Sequence, residues 1–517
     1  MAIFDFLEGI QTGTPQRDSF VGQVQKDTNR SAGGAGIYNA NIRTFSGIDR
    51  VEGTAELTAT AGVSIATYGI YKSQINTGRE NDQLIASSRS LGFNNQGRSS
   101  SIGVDRSTLT GDSGADTFSM SAESTKGLTA YAAGLNQTSI STNSGNDTLS
   151  VQSTASAASS TYVYAARQSN IDTDRGVDSL RFEATSTVTE GTGRSLGIGL
   201  EGSSAFGGAE EDQLSVLVDS RGPNAAAAYG ISDNSALDGG NNNDTLNISA
   251  NATSSGAATA TAIGVRTSSF VTGGEGSDSI TISAQATANR ATGAIATAAA
   301  VENNNGTISS GQGNDTLILS AESQATGRAY AYGARSAQSI EGSDGNDIFE
   351  LKATARSSAA KAFAYGAYRS DLFAGTRDDR ITLTATASGQ VGSQAYGAFE
   401  SFIEGDTGND TIKISAGGLG TFDFKDSLIK GGNDDDIIDA GIGTGTLDGG
   451  SGFDRVVLDF FNANTMNITA INSGVRISGS QAKDGTQQAW SHDIVDVEQF
   501  TIGSTPYTAS SLVEAFA

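Results

Sequence analysis

Residues Gly311–Leu317 read G-Q-G-N-D-T-L, and near copies of this stretch recur from one end of the chain to the other. Steps of 31 to 37 residues separate the equivalents of its aspartate, and shorter steps of 26 and 18 residues follow. A fixed period of this length predicts a solenoid in which each repeat forms one coil. We call these residues the corner aspartates: Asp18, Asp49, Asp82, Asp116, Asp147, Asp178, Asp212, Asp244, Asp278, Asp315, Asp347, Asp379, Asp410, Asp436 and Asp454.

Three further features keep the same phase. Apolar and polar residues alternate after the aspartate, as in Thr245–Ala252 (T-L-N-I-S-A-N-A), which is the pattern of a half-buried strand. A short S-x-I or F-I segment, as at Ser339–Ile340 and Phe402–Ile403, leads into the next corner, and Tyr-Gly pairs lie between the alternating stretch and this segment. These pairs begin at Tyr68, Tyr229, Tyr332, Tyr365 and Tyr396. The sequence therefore predicts an all-β fold, a parallel β-helix or β-solenoid of about 13 coils of about 32 residues, with Gly and Asn at corners that need positive φ.

Composition limits the function classes. The chain has 517 residues, a net charge of −25, 66 glycines, three prolines and no cysteine. The acidic balance argues against nucleic-acid binding and fits divalent cations, although it is equally typical of a soluble acidic surface. Disulfides and thiolate metal sites are excluded. No apolar run reaches the ~18 residues of a membrane span, and the N-terminus lacks the pattern of a secretory signal peptide.

From residue 431 the repeat shortens to three consecutive nonapeptides: Gly431–Asp439 (G-G-N-D-D-D-I-I-D), Ala440–Asp448 and Gly449–Val457. They resemble the G-G-x-G-x-D-x-hydrophobic-x repeats of RTX (haemolysin-type) secreted calcium-binding proteins. Gly342–Glu350 and Gly405–Lys413 fit the same nonapeptide once per long coil. The 32-residue spacing of the long coils differs from the 18-residue β-roll turn of that family.

The resemblance implies a calcium ion between two corners on the same side of the roll, here the Gly431–Asp436 and Gly449–Asp454 loops. The middle nonapeptide has Gly445 in place of the aspartate, so the opposite side is expected to lack a site. The expected ligands are the carboxylates of Asp436 and Asp454 and the carbonyls of Gly431, Asn433, Gly449 and Ser451, with Asp434, Asp410, Gly405, Asp347 and Asp315 as further candidates. For the long coils we also weigh a metal-free alternative, in which each Asn-Asp pair bonds the backbone and stacks into a ladder.

The chain is expected to contain four segments. They are an N-terminal cap at 1–17, the long coils at 18–430, the RTX nonapeptide roll at 431–457, and a C-terminal cap at 458–517. In the N-terminal cap, Phe4, Phe6, Leu7 and Ile10 are expected to supply apolar cover for the first coil. This last segment holds the single tryptophan and histidine, Trp490 and His492, and the histidine is expected at the surface or in the cap. Val495–Tyr507 and Ser510–Ala517 are similar to C-termini of RTX proteins exported by type I transporters, which implies export to the cell surface or medium without a cleaved N-terminal signal.

No catalytic motif is found: H-E-x-x-H does not occur, and no G-x-S-x-G elbow has a partner histidine before the C-terminal segment. The tyrosines could form either a sugar-stacking strip or a packing ladder. We therefore expect a non-enzymatic, secreted, calcium-binding structural protein of a surface layer, filament or adhesive matrix, with self-association or a cell-surface polysaccharide as candidate partners. The alternatives are a carbohydrate-active enzyme of the polysaccharide lyase or epimerase kind, and an ice-binding face made of outward threonines.

Overall fold

The computed structural model confirms the predicted fold class: the chain is an all-β parallel solenoid of about 13 turns spaced about 32 residues apart. Its backbone is described except at residues 1, 5, 6, 192, 257, 291, 292, 304, 419, 420, 459, 463, 464, 484, 485 and 517. Side chains are in addition not described at residues 2–4, 7, 8, 481–483 and 486–488. In the part of the chain that is described, no helix is long and apolar enough to cross a membrane.

The chain divides into two units, Met1–Val271 and Thr272–Ala517, and the division falls within β23. The strands up to that point are β1 (Ala2–Phe4), β2 (Leu7–Thr12), β3 (Ser19–Thr28), β4 (Ala32–Arg43), β5 (Arg50–Ala59), β6 (Ile65–Tyr71), β7 (Gln74–Arg79), β8 (Gln83–Leu91), β9 (Arg98–Asp105), β10 (Thr108–Ser113), β11 (Thr117–Asn136), β12 (Ser139–Ser144), β13 (Thr148–Arg167), β14 (Asn170–Asp172), β15 (Ser179–Val188), β16 (Arg194–Glu201), β17 (Ser204–Ala209), β18 (Gln213–Gly222), β19 (Ala225–Ser232), β20 (Ala236–Asn241), β21 (Thr245–Ser254), β22 (Thr259–Arg266) and β23 (Phe270–Glu275).

The second unit continues the same pattern and then shortens its coils. Its elements are β24 (Ser279–Ala288), β25 (Ile295–Glu302), β26 (Thr307–Gln312), β27 (Thr316–Ala325), β28 (Arg328–Arg335), β29 (Ser339–Asp344), β30 (Ile348–Ser357), β31 (Ala362–Tyr368), β32 (Asp371–Thr376), β33 (Arg380–Ser388), β34 (Gln394–Phe399), β35 (Phe402–Thr407), β36 (Thr411–Gly418), β37 (Phe422–Asn433), β38 (Ile437–Ala440), β39 (Gly443–Ser451), β40 (Arg455–Val457), β41 (Met466–Ile471), β42 (Gly474–Lys483), β43 (Thr486–Val495), β44 (Gln499–Ile502), β45 (Thr505–Tyr507) and α1 (Ala509–Phe516).

Strands of neighbouring coils pair in parallel and in register, so that equivalent residues stack on one another. In β27 and β30, Leu317 lies beside Phe349 and Leu319 beside Leu351, and all four side chains are buried. The residues between them, Ile318 and Glu350, lie on the outward side, as the period-2 alternation predicts. Burial of these inward columns supplies the hydrophobic stabilisation of each unit.

Most corners contain two left-handed residues, four and two positions before the aspartate. Before Asp315 these are Gly311 and Gly313, with φ of 107° and 126°. Non-glycine residues occupy the same position elsewhere, as Asp434 does with φ of 78°. Glycine recurs in the repeat because an L side chain rarely adopts this conformation.

Three of the five tyrosines of the Tyr-Gly pairs form a packing ladder in the second unit. Tyr332, Tyr365 and Tyr396 take the same register position in β28, β31 and β34, and consecutive ring centroids lie 5.2 and 5.6 Å apart. The rings stack on one another and are at most 9% exposed. Stacking covers the ring faces that a sugar would need, so the structure favours the packing ladder over the sugar-stacking strip.

One expectation about the N-terminal segment was wrong. Ile10 is 79% exposed, so it gives no apolar cover, and β1 and β2 instead pair in parallel with β4. The side chains of Phe4, Phe6 and Leu7 lie outside the described residues. Of the two places expected for His492, the surface and the C-terminal cap, the structure shows the second: His492 is 1% exposed in β43 and packs edge-on against Phe424 and parallel to Trp490.

The C-terminal cap changes strand direction. Strands β41, β42 and β43 pair antiparallel, and β43 lies parallel to β39 of the last coils. Helix α1 packs beside this sheet, where Phe516 contacts Phe461 and Tyr507.

A corner glycine tests the stacking directly. In Gly145→Ala the new Cβ would clash with the carbonyl oxygen of Gly114 in the neighbouring coil, and φ is 139°. We expect a loss of stability well above the roughly 1 kcal/mol that a left-handed alanine costs. Thermal unfolding of the variant measures this loss. Gly503→Ala is the matched control, since it has φ of 60° and nothing within 4 Å of its Cβ; equal melting temperatures for the two variants would contradict the packed corner.

Candidate functional site: a column of buried carboxylates

The corner aspartates turn inward and form one hydrogen-bonded column in each unit. The backbone N–H of each donates to Oδ1 of the corner aspartate in the next coil, so the contact spans one whole coil. In the first unit the N–O distances are 2.7–2.8 Å from Asp18 to Asp244. In the second they are 2.7–2.9 Å from Asp278 to Asp454. The last N–H, of Asp454, donates to Glu498 of the C-terminal cap at 2.7 Å.

At many corners the second carboxylate oxygen has no such donor: Oδ2 is buried and accepts no hydrogen bond in Asp49, Asp212, Asp347, Asp379, Asp410, Asp436 and Asp454. In Asp82, Asp147, Asp178 and Asp315 the Thr or Ser hydroxyl five positions earlier also bonds the carboxyl group and lowers its pKa. A buried carboxylate oxygen without a partner is costly, because it has lost water and gained nothing in exchange. A proton or a cation can supply what is missing.

The surroundings of Oδ2 support this inference. A Cβ on Gly431 would clash with both Asp436 Oδ2 and the carbonyl oxygen of Gly449, so these two acceptors lie close to the same point. Gly405 stands in the same relation to Asp410 and to the carbonyl of Gly431. Two acceptors that approach each other without a donor repel, unless a proton or a positive ion lies between them.

Burial raises the pKa of eight corner carboxyls far above their usual value of 3.8. The pKa of Asp212, Asp379 and Asp436 rises to about 8. In Asp82, Asp116, Asp178, Asp347 and Asp410 it rises to about 7. Loss of solvation is the largest cause in every case, and neighbouring carboxylates add to it, whereas the accepted backbone hydrogen bond opposes it.

The residue before the corner aspartate forms a second, exposed ladder. Asn314 Oδ1 accepts from the N–H of Asn346 at 2.8 Å, and Asp378 accepts from Asn409 at 2.8 Å. Asp435 accepts from Phe453 at 2.8 Å. The donor here lies in the later coil, whereas in the carboxylate column it lies in the earlier one. The Asn-Asp pairs of the long coils thus stack into ladders, as the metal-free alternative supposed, but they bond the backbone of neighbouring coils.

A column of serine hydroxyls at another corner of the coil differs from the carboxylate column in that its hydrogen bonds are complete. The sequence analysis did not predict this column. The Ser370 hydroxyl accepts the N–H of Ala337 at 3.2 Å and donates to the carbonyl of Tyr368 at 3.0 Å. Ser401 and Ser427 repeat the arrangement, as do Ser73, Ser107, Ser169 and Ser203 in the first unit. Its signal was a Ser or Thr nine residues before many corner aspartates. A hydroxyl satisfies the stacked N–H completely, so a carboxylate is more than that contact requires.

The structure brings most of the predicted ligands together. Asp410, Asp436 and Asp454 are consecutive members of one column, with Gly405, Gly431 and Gly449 beside their Oδ2 atoms. Asn433 and Ser451 are paired in β37 and β39, and the Ser451 hydroxyl donates to Asn433 Oδ1 at 2.8 Å. Asp315 and Asp347 belong to the same column higher up, whereas Asp434 is exposed beside it. Gly445 aligns with Ser427 of the hydroxyl column, not with an aspartate.

The side chains of this site could bind calcium only together with backbone carbonyl oxygens. Among the described residues no three His, Cys, Asp or Glu side chains lie close enough together to hold a metal ion. Calcium takes six to eight oxygens and readily accepts carbonyls, which these glycine-rich corners provide beside Oδ2. The residues present therefore fit a hard cation held by one or two carboxylates and several carbonyls.

No model of a known protein family and no curated protein sequence matches this chain.

The raised pKa values predict an unusual pH dependence. The folded protein binds protons that the unfolded chain releases above pH 4, so this contribution to stability is complete at low pH and is lost as pH rises toward 8. We expect the melting temperature of protein freed of divalent ions to fall between pH 5 and pH 8. Calorimetric scans across this range test it, and a melting temperature that rises with pH would contradict a protonated column.

Substitutions at Asp212 distinguish the contributions of its two carboxylate oxygens to stability. Asp212→Asn keeps the acceptor for the Asp178 N–H, at 2.7 Å, and places an amide donor toward the Gly239 carbonyl. We expect it to raise the metal-free melting temperature at pH 8 and to change it little at pH 5. Asp212→Ala removes the acceptor, so we expect a loss of roughly 1–3 kcal/mol at both pH values. Equal effects of the two variants at pH 8 would show that Oδ2 carries no penalty.

Proposed function

We propose that this chain is a secreted, calcium-binding structural repeat protein of the RTX kind, which works in a surface layer, filament or adhesive matrix outside the cell. The observation that carries the proposal is the column of buried carboxylates, in which Asp347, Asp379, Asp410, Asp436 and Asp454 each have one oxygen that lacks a donor. The nonapeptides at 431–457 point to calcium as the ion.

The last corners of the second unit, from Asp410 to Asp454, favour a cation over protons as the positive partner of the carboxylates. The carboxylates of Asp378, Asp406 and Asp434 act on Asp410 and raise its pKa, so negative charge accumulates at this corner. A proton neutralises one carboxyl, whereas one divalent ion can neutralise two neighbouring carboxylates of the column. At neutral pH a divalent ion is therefore the better counter-charge for closely stacked acids.

Coupling to calcium would link folding to export. Where calcium is scarce, the buried carboxylates at the corners destabilise the folded state, so the chain folds poorly. A poorly folded chain can pass through a transporter. Where calcium is abundant, binding to the folded state alone favours folding. An ion at 100 times its Kd contributes about 2.7 kcal/mol per independent site. Several corners in one column multiply this gain.

The test is the calcium-dependent change in melting temperature. We expect millimolar calcium at pH 7.5 to raise the melting temperature of the full chain by several degrees over a chelated sample, and magnesium to raise it much less, because magnesium needs a stricter octahedral site. The double variant Asp436→Asn, Asp454→Asn should lose a large part of the calcium-dependent rise.

Asp439→Asn is the matched control. Asp439 lies three residues after Asp436 but faces outward, where it pairs with Lys413 at 2.6 Å, so its loss should leave the calcium response intact. A wild-type melting temperature that does not respond to calcium would refute the proposal. So would a double variant that keeps the full response.

A further inference from the structure

A polar groove with a volume of about 790 Å³ lies on the outer side of three strands that stack in neighbouring coils of the first unit. Two rows of side chains from β4, β7 and β10 cross it: Asn41, Gln74 and Thr108 in one row, and Arg43, Asn76 and Thr110 in the other. The residues between the rows, Ile42, Ile75 and Leu109, point inward and are at most 2% exposed. The outward rows are therefore held on a rigid parallel sheet.

The groove carries positive charge on a strongly acidic chain. Arg43 and Arg79 both line it and are exposed, and neither has an ion pair within 4.0 Å among the described residues. Asp112 is the acidic residue of the lining. The net charge of the chain is −25, so two unpaired guanidinium groups in one groove mark a local preference for an anion.

The remaining lining suits a hydroxyl-rich ligand. Asn76 accepts the Gly78 N–H through Oδ1 at 2.8 Å, which leaves its Nδ2 to donate into the groove. Threonine hydroxyls and the amides of Asn41 and Gln74 add both donors and acceptors. Phe45 also lines the groove and is 52% exposed, so its ring is accessible to the apolar face of a sugar.

We propose that this groove binds an acidic saccharide, with Arg43 and Arg79 on the carboxylate of a uronic acid and the amides and hydroxyls on the sugar hydroxyls. Guanidinium groups pair with carboxylates in bidentate fashion, and the volume is typical of small-ligand sites. A densely charged polyanion such as a nucleic acid is disfavoured, because the acidic chain repels it.

The choice of a surface polysaccharide rests on the proposed extracellular function, but the groove does not depend on calcium. Its lining lies in the first unit, and the nonapeptide corners lie in the second. Failure of one proposal therefore leaves the other open to its own test. Binding with calcium present and after chelation separates the two.

Isothermal titration calorimetry of the full chain with trigalacturonic acid tests the inference, with neutral galactotriose as the comparison probe. We expect trigalacturonic acid to bind at least tenfold more tightly. The double variant Arg43→Gln, Arg79→Gln should abolish that difference, and Phe45→Ala should weaken both probes. Arg98→Gln, an exposed arginine at the start of β9 outside the groove, is the control and should bind like the wild type.

Three outcomes would overturn the inference, once circular dichroism shows that the variants are folded. One is no binding of trigalacturonic acid at millimolar concentration. Another is unchanged affinity in the double arginine variant. The third is tighter binding of inositol hexakisphosphate than of trigalacturonic acid, which would assign the groove to phosphate.

Discussion

The structure depends on one contact repeated along each unit: the N–H of a corner aspartate donates to the carboxylate of its equivalent one coil further on. This contact fixes the register of the coils, because a slip by one residue would leave both partners without each other. It also buries an acid in every coil. The same interaction that aligns the solenoid therefore creates its main electrostatic problem.

Comparison of the two inner columns shows why that problem points to function. In the hydroxyl column each serine hydroxyl accepts a backbone N–H and donates its own proton to a carbonyl, so no polar group lacks a partner there. The carboxylate column satisfies the N–H but leaves Oδ2 facing carbonyls. A structure that needed only alignment could use serine at both corners. Aspartate adds a requirement for a positive partner, and this makes the stability of the fold depend on solution conditions.

Much of the architecture could be predicted from the chain alone, because period and alternation are local patterns. The corner aspartates, the tyrosine ladder and the approach of Asp436 to Asp454 follow from repeats of fixed length. Contacts between side chains of different coils could not be predicted in this way. The inward turn of Oδ1, the exposure of Ile10, the burial of His492 and the position of Arg43 and Arg79 in one groove depend on stacking across about 32 residues, which no local pattern encodes.

The central claim is that a positive partner occupies the space beside Oδ2 of the corner aspartates. A high-resolution crystal structure of the full chain grown with calcium at neutral pH tests it most directly. The account predicts an ion at about 2.3–2.6 Å from Asp436 Oδ2 and from backbone carbonyls of the adjacent corner. Asp436 turned toward solvent, with the Asp410 N–H bonded to another acceptor and no ion in the column, would contradict it.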